Sequence, residues 1–356
     1  MLGYSLHHGE ALSRVIVEKI IAQLDEALVL DSPRFHAHRK NCVEEFQRAS
    51  TRPALLAGAS YPEDPKALRE RLQTFFDKAE KINLLSPRPS NAKSKGIIVP
   101  HIDFTRGGVC EALAYRQLLD ESYDTFIVLG IAHSGVTYPF CGAAKDFETP
   151  LGIARCNREL LADLNKRCGG KLLDEQIAHK NEHSIEFVAV FLQFLKQFQN
   201  TKIVPIICGG FFEAMESGAS PMQTPEIEEF VWALRETVNE CEARGERIGF
   251  IASVDGAHVG SRFGDEGVLT PQILKDIEMR DLRFFQWIER GDKDALHAEL
   301  ANDNNARNVD AHPAVWTLLA AFPELRAQLM DYRQAFDEEA NSVVSFAAMT
   351  LFERVP

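Results

Sequence analysis

Apolar residues change their spacing three times along the chain. Before residue 50 they recur at helical intervals, at Val15, Val17, Ile20, Ile21, Leu24 and Leu28, and a second helical stretch follows the turn residues of "LDSPRF". Another helix start stands in "SYPEDPKALRERLQTFF". Asp64 suits the cap, Pro65 the first turn, and Leu68, Leu72, Phe75 and Phe76 form an apolar face. From Lys95 the pattern turns to short, continuous apolar runs over 96–100, 125–130, 202–208 and 247–253. Such Val/Ile runs suit strands buried on both faces of a sheet. Helical periodicity fills the intervals at 158–167, 183–198 and 226–244 and returns from Thr270, and "NSVVSFAAMTLF" reads as a closing strand. The pattern predicts an α/β fold, a central, mostly buried β-sheet flanked by helices, over residues 51–356. Residues 1–50 read as an N-terminal helical appendage. Small and turn-forming residues in "EAMESGASPMQTPE", residues 213–226, predict the mobile segment of the chain.

Charge narrows the classes of partner. The chain has 356 residues and a net charge of −13, which argues against a nucleic-acid footprint and, more weakly, against an anionic membrane surface. No apolar run approaches the ~20 residues of a membrane helix, and Glu and Arg interrupt the N-terminal stretch as they would not in a signal peptide. Seven cysteines, odd in number and without a C-x-x-C pair, suit reduced thiols and a cytoplasmic location.

Three of the apolar runs deliver chemistry where they end. "KGIIVPHIDFTRGG" stops its run at Pro100 and presents His101 and Asp103. "LGIAHSG" presents His133, and "SVDGAHVGSRFG" presents Asp255 and His258. Ligands of open α/β sheets bind beyond the carboxyl ends of the strands, so these side chains are directed to one rim. A lone histidine at a strand end is ordinarily a hydrogen-bonded structural residue; three strand ends together change that balance. A fourth contributor is "HKNEHSIEFVAVFLQFLKQF", where Asn181 suits an N-cap and His183 falls in the first helical turn. The positive end of the helix dipole there favours neutral imidazole, the form that binds metals and accepts protons. Two histidines with a carboxylate suit Fe(II), and three nitrogens with water suit hydrolytic zinc; spacing alone does not choose. Ser134 lacks a nucleophile elbow, and Cys208 reads as an inert core thiol.

The segments "AGASYPEDPKALRERLQTFF", "VPHIDFTRGG", "LGIAHSG", "NEHSIEF" and "SVDGAHVGSRFG", in that order, resemble the Memo family, the B component of the AmmeMemoRadiSam set. The resemblance runs from about Arg52 to the C-terminus, with "NEHSIE" its sharpest motif. It implies a fold like that of class III extradiol dioxygenases, with a non-haem metal pocket at one end of the sheet. It also implies that His101 and His133 bind the metal, iron or copper foremost and zinc as an alternative, and that His183 acts as acid/base. A functional link to AMMECR-type and radical SAM proteins is implied as well. The chain departs from the pattern at Ala257, which stands where metal-binding relatives carry a cysteine ligand. Asp255, His258 and His183 are the candidates for the vacant third place. A second departure is "RNVDAHPAVW", where Asp310 and His312 read either as compensating pocket residues or as a capped turn before a helix. The leading expectation is a metal-dependent redox enzyme with His183, Asp255 and His258 in catalytic roles. The alternatives are a module that holds a peptide or small ligand in the same pocket without turnover, and a metal-dependent hydrolase or lyase.

Overall fold

Two units make up the chain, Met1–Ala49 and Ser50–Pro356. The computed structural model describes residues 13–85 and 92–353. In the first unit, Ser13 caps α1 (Arg14–Glu26) and Ser32 caps α2 (Pro33–Arg48), each hydroxyl accepting from the amide three residues on. None of the α1 residues is buried, so Val15, Ile20 and Ile21 stay exposed.

The second unit begins with β1 (Thr51–Arg52) and α3 (Pro65–Ala79), where Asp64 Oδ1 accepts from Ala67 N at 2.8 Å as the sequence predicts. There follow β2 (Ser94–Val99), α4 (Phe104–Arg116), β3 (Thr125–Ile131), β4 (Phe140–Gly142), β5 (Asp146–Thr149), β6 (Gly152–Ala154) and α5 (Arg158–Arg167). The middle holds α6 (Ser184–Phe194), β7 (Lys202–Cys208), α7 (Phe212–Ser217), α8 (Pro225–Ala243), β8 (Ile248–Ser253) and β9 (His258–Gly260). The last part holds α9 (Pro271–Arg290), α10 (Lys293–Ala301), α11 (Ala311–Ala321), β10 (Leu325–Asp337) and β11 (Ser342–Glu353).

The main sheet runs β10-β11-β2-β8-β3-β7-β4, with β9 paired to β11. Its centre, β2-β8-β3-β7, is parallel; β11 pairs antiparallel with β2 on one side and β4 with β7 on the other. Alternate residues of the central strands feed opposite layers. Ile97, Val99, Phe126, Val128 and Ile251 pack with α3, α4 and α6, whereas Ile98, Ile127, Leu129, Val204 and Phe250 pack with α5, α8, α9, α10 and α11. Both faces are therefore covered, which is why the strands are apolar without alternation. Register brings the carboxyl ends level: Val99 lies opposite Ser253, and Ile131 opposite Cys208.

One expectation changes. The C-terminal third is not helical up to one closing strand, because residues 325–337 form β10 and complete a long hairpin with β11. Mixed polar residues such as Arg326, Gln328 and Asp331 hide that strand; it is a half-buried edge and carries no continuous apolar run. Residues 213–226 contain most of α7 and a 3₁₀ turn at Pro221–Gln223. Among the described residues, no helix is long and apolar enough to cross a membrane. All seven cysteines are free thiols, six of them buried.

Candidate metal centre

His101, His133 and His183 converge beyond the carboxyl rim. Each offers a ring nitrogen, and the three nitrogens lie within 4.8 Å of one another. The His101 ring centroid is 5.1 Å from that of His133 and 5.0 Å from that of His183, and the last two rings stack at 4.6 Å. His101 follows β2, His133 follows β3, and His183 is the residue from which α6 starts.

Each imidazole is oriented from behind. His101 Nδ1 lies 2.9 Å from the Ser253 carbonyl; a carbonyl only accepts, so Nδ1 carries the proton. Nε2 is left buried on the side of the cluster, 3.3 Å from Asp310 Oδ2. Both carboxylate oxygens of Glu182 stand 3.1 Å from His133 Nδ1, and Oε1 is 3.3 Å from His183 Nδ1. A carboxylate behind a ligating imidazole sets its tautomer and strengthens it as a donor. Three imidazoles within reach of one another, with a carboxylate behind two of them, fit a bound divalent ion.

Glu182 has a second task. Its Oε1 accepts from His183 N at 2.8 Å and Ser184 N at 3.0 Å, so it caps α6 in the place expected for Asn181. Asn181 instead lines the cavity. Burial alone would raise the Glu182 carboxyl. The His133 bond and the amides of the helix start outweigh it and hold Glu182 well below the carboxylate range. Burial lowers His183 to a pKa of about 3, with the charge of His101 adding to the effect, so it is neutral near pH 7. His101 runs the other way. Burial lowers it, but Asp255 and Asp310 prevail, and its pKa is pushed up to about 10.

Asp255 and His258 lie on the same wall but outside the three-imidazole group. Asp255 Oδ1 accepts from His101 N at 3.1 Å, and Oδ2 is 3.8 Å from His101 Nε2. His258 Nδ1 is held by the carbonyls of Gly256 and Asn308 at 3.2 and 3.1 Å, which leaves Nε2 3.9 Å from Asp310 Oδ2. The Asp310–His312 pair separates. Asp310 is the N-cap residue of α11 but makes no capping bond; it accepts from Asp255 N at 2.8 Å and lies 3.3 Å from His101 Nε2. His312 turns to His297, 3.1 Å away, and its pKa falls to about 3 through burial. Asp310 therefore stands against His101, and His312 turns away to His297.

Ala257 is fully buried in the apolar core, with its N–H and carbonyl both bonded to Ser345. It is absent from the wall of the cavity of about 500 Å³ in front of the imidazoles, whose apolar lining includes Leu56, Ile102, Phe187 and Val344. His183 joins His101 and His133 in the three-imidazole group.

A buried anchor holds the turn that carries Glu182 and His183, and inspection of strand ends misses it. Arg52, 1% exposed, donates to the carbonyls of His179 and Glu182 at 2.8 and 2.7 Å and pairs with Glu186. Glu186 also accepts from Leu56 N at 2.9 Å and from Tyr61 OH. The signal was available: a glutamate inside a helix apolar on all sides must have a partner. Gly130 completes the arrangement. A Cβ there would stand 2.4 Å from Ser184 Oγ, so only glycine lets the start of α6 meet the end of β3.

A three-layer α/β protein with imidazoles gathered at the carboxyl rim of its parallel strands is thus defined. Comparison with known proteins identifies its kind. The family of Memo-like proteins matches residues 52–350, and the chain belongs to that family. Its fold is accordingly extradiol dioxygenase-like. A MEMO1 family protein of Aquifex aeolicus is 27% identical over 348 residues, covering 97% of this chain and 84% of its own length. One of Thermus thermophilus is 25% identical, covering 97% and 94%. One of Metallosphaera sedula is 35% identical over 184 residues, covering 51% and 60%. The first two alignments reach into the N-terminal helices, which the sequence reading places outside the resemblance.

Proposed function

We propose that this Memo-like protein is a metal-dependent enzyme whose ion is held by His101, His133 and His183. The observation that carries the reading is the convergence of His101, His133 and His183, each offering a ring nitrogen within 4.8 Å of the other two. The donor set favours a borderline metal, with iron or copper first and zinc second. When bound, such an ion supplies a Lewis acid, and iron or copper adds a redox centre.

The chain's own residues do the rest. Ser253 and Glu182 fix the imidazole tautomers. Taking His183 as third ligand leaves proton movement to His258, whose Nε2 faces the cavity beside Asp310, with Asp255 and Asp310 holding charge near His101. Leu56, Ile102, Phe187 and Val344 give a small organic ligand an apolar surface to lie against. Free, buried thiols suit a reducing compartment, and we place the protein in the cytoplasm.

Metal analysis of protein purified without chelators tests the reading. Iron, copper or zinc near one equivalent is expected, lost in His101→Ala. Metal retained at the wild-type level in that variant would overturn it. Zinc as the native ion would select the hydrolase or lyase reading, because three nitrogens and a water form a catalytic zinc set. Binding weaker than about micromolar for every metal would select the non-catalytic module.

A further inference from the structure

One cation at the cavity has no carboxylate partner among the described residues. Arg106 is engaged by Asp103, His101 faces Asp255 and Asp310, and Glu182 serves His133 and His183. Arg262 lines the same cavity, is exposed, and forms no hydrogen bond or ion pair among the described residues. In a protein of net charge −13, an arginine at a cavity mouth without a carboxylate is conspicuous.

Its position is built rather than incidental. Arg262 sits in the 3₁₀ turn Ser261–Phe263 that follows β9. The turn begins at Gly260, with φ +114° and a Cβ position 2.2 Å from the Asn341 carbonyl oxygen, so no other residue fits there. Gly260 N donates to Asp265 Oδ2 at 2.7 Å. Asn341 ties the loop from the hairpin side: Nδ2 donates to Ser261 Oγ and to the Gly267 carbonyl, both at 2.8 Å, and Oδ1 accepts from Leu269 N at 2.9 Å. Phe263 packs edge-on against His258, with centroids 5.2 Å apart. Bonds at several points hold this backbone and keep the guanidinium at the rim.

We propose that the cavity takes a small organic monoacid, its carboxylate held by Arg262 and its apolar body lying against Leu56, Ile102, Phe187 and Val344. This rests on the preceding reading of the cavity as a ligand site and adds the charge of the ligand. The guanidinium fork matches a carboxylate in two parallel hydrogen bonds. A single unpaired cation balances one negative charge. A phosphate monoester brings nearly two into a wall that already carries Asp103 and Asp255.

Calorimetric titration with phenylacetate and its neutral analogue phenylacetamide tests the proposal, on chelator-treated protein and on protein reloaded with the metal. The acid should bind at least about tenfold more tightly than the amide in both forms. In Arg262→Gln the two should come within about twofold of each other, and Arg262→Lys should recover part of the preference. Because Arg262 is exposed and unbonded, the thermal midpoint of both variants should match wild type. Equal affinity for acid and amide in the wild type, a preference that survives Arg262→Gln, or no binding of either probe up to about 10 mM would overturn the proposal. The metal reading fails separately: a charge preference in metal-free protein stands without it, and metal retention in Arg262→Gln stands without the anion site.

Discussion

His101 carries the clearest consequence for pH. In the metal-free protein it is charged below a pKa of about 10, because Asp255 and Asp310 outweigh its burial. A metal requires neutral imidazole, so the ion must displace that proton, whereas His183, with a pKa of about 3, has none to give. Near pH 7 we expect about one proton released per metal bound, read by titration in buffers of different ionisation enthalpy. Metal affinity should rise with pH up to the region of 10; a flat profile would show that His101 is not a ligand. Folding stability of the metal-free protein has the opposite trend. The pairing of His101 contributes fully below the unfolded value of about 6.5 and is lost as pH rises through about 10. At Ala257, Cys should change metal affinity by less than about tenfold, because this residue is not part of the cavity wall and three imidazoles already meet. A larger gain would mean that the thiolate displaces one of them.

The turn into α6 is the element on which the site depends. Glu182→Gln removes the negative charge behind His133 and leaves one acceptor oxygen to serve both the imidazole and the helix-start amides. A loss of about 10–100-fold in metal affinity is expected, measured by competition with a chelator. Arg52→Met leaves Glu186 buried without its cation and should cost about 3–5 kcal/mol in denaturant unfolding. If stability were unchanged, the anchor would not be holding the turn. Gly130→Ala drives a methyl into Ser184 and Ile185. It should cost about 1–3 kcal/mol and weaken metal binding by moving His183 away from β3.

At the level of the whole molecule, both apolar clusters and every residue of the cavity wall come from the second unit. Residues 50–356 produced alone should therefore fold and keep metal affinity within about twofold of the full chain. Circular dichroism and metal titration check this, and failure to fold would assign residues 13–49 a part in the core. The two-sided burial of the sheet explains how much of the fold was legible. Parallel strands covered by helices on both faces must be apolar throughout, and β2, β3, β7 and β8 stand out for that reason. The edge strand β10 is only partly covered, so it mixes polar with apolar residues and reads as nothing in particular.

Local chemistry along the sequence was enough to determine which residues reach the rim. A histidine placed just past a parallel strand has one end of the sheet to go to, and His101, His133, Asp255 and His258 all went there. Their division of labour was decided in three dimensions. Asp310 and His312 are two residues apart, yet one faces His101 and the other His297, because the start of α11 turns them to different sides. Glu182 reads as one more acidic residue until β3 and α6 meet around it. Arg52 and Glu186, 134 positions apart, become a pair only when the chain closes. Sequence spacing constrains contacts along an element; a contact between elements depends on crossing geometry and register, which no short motif contains.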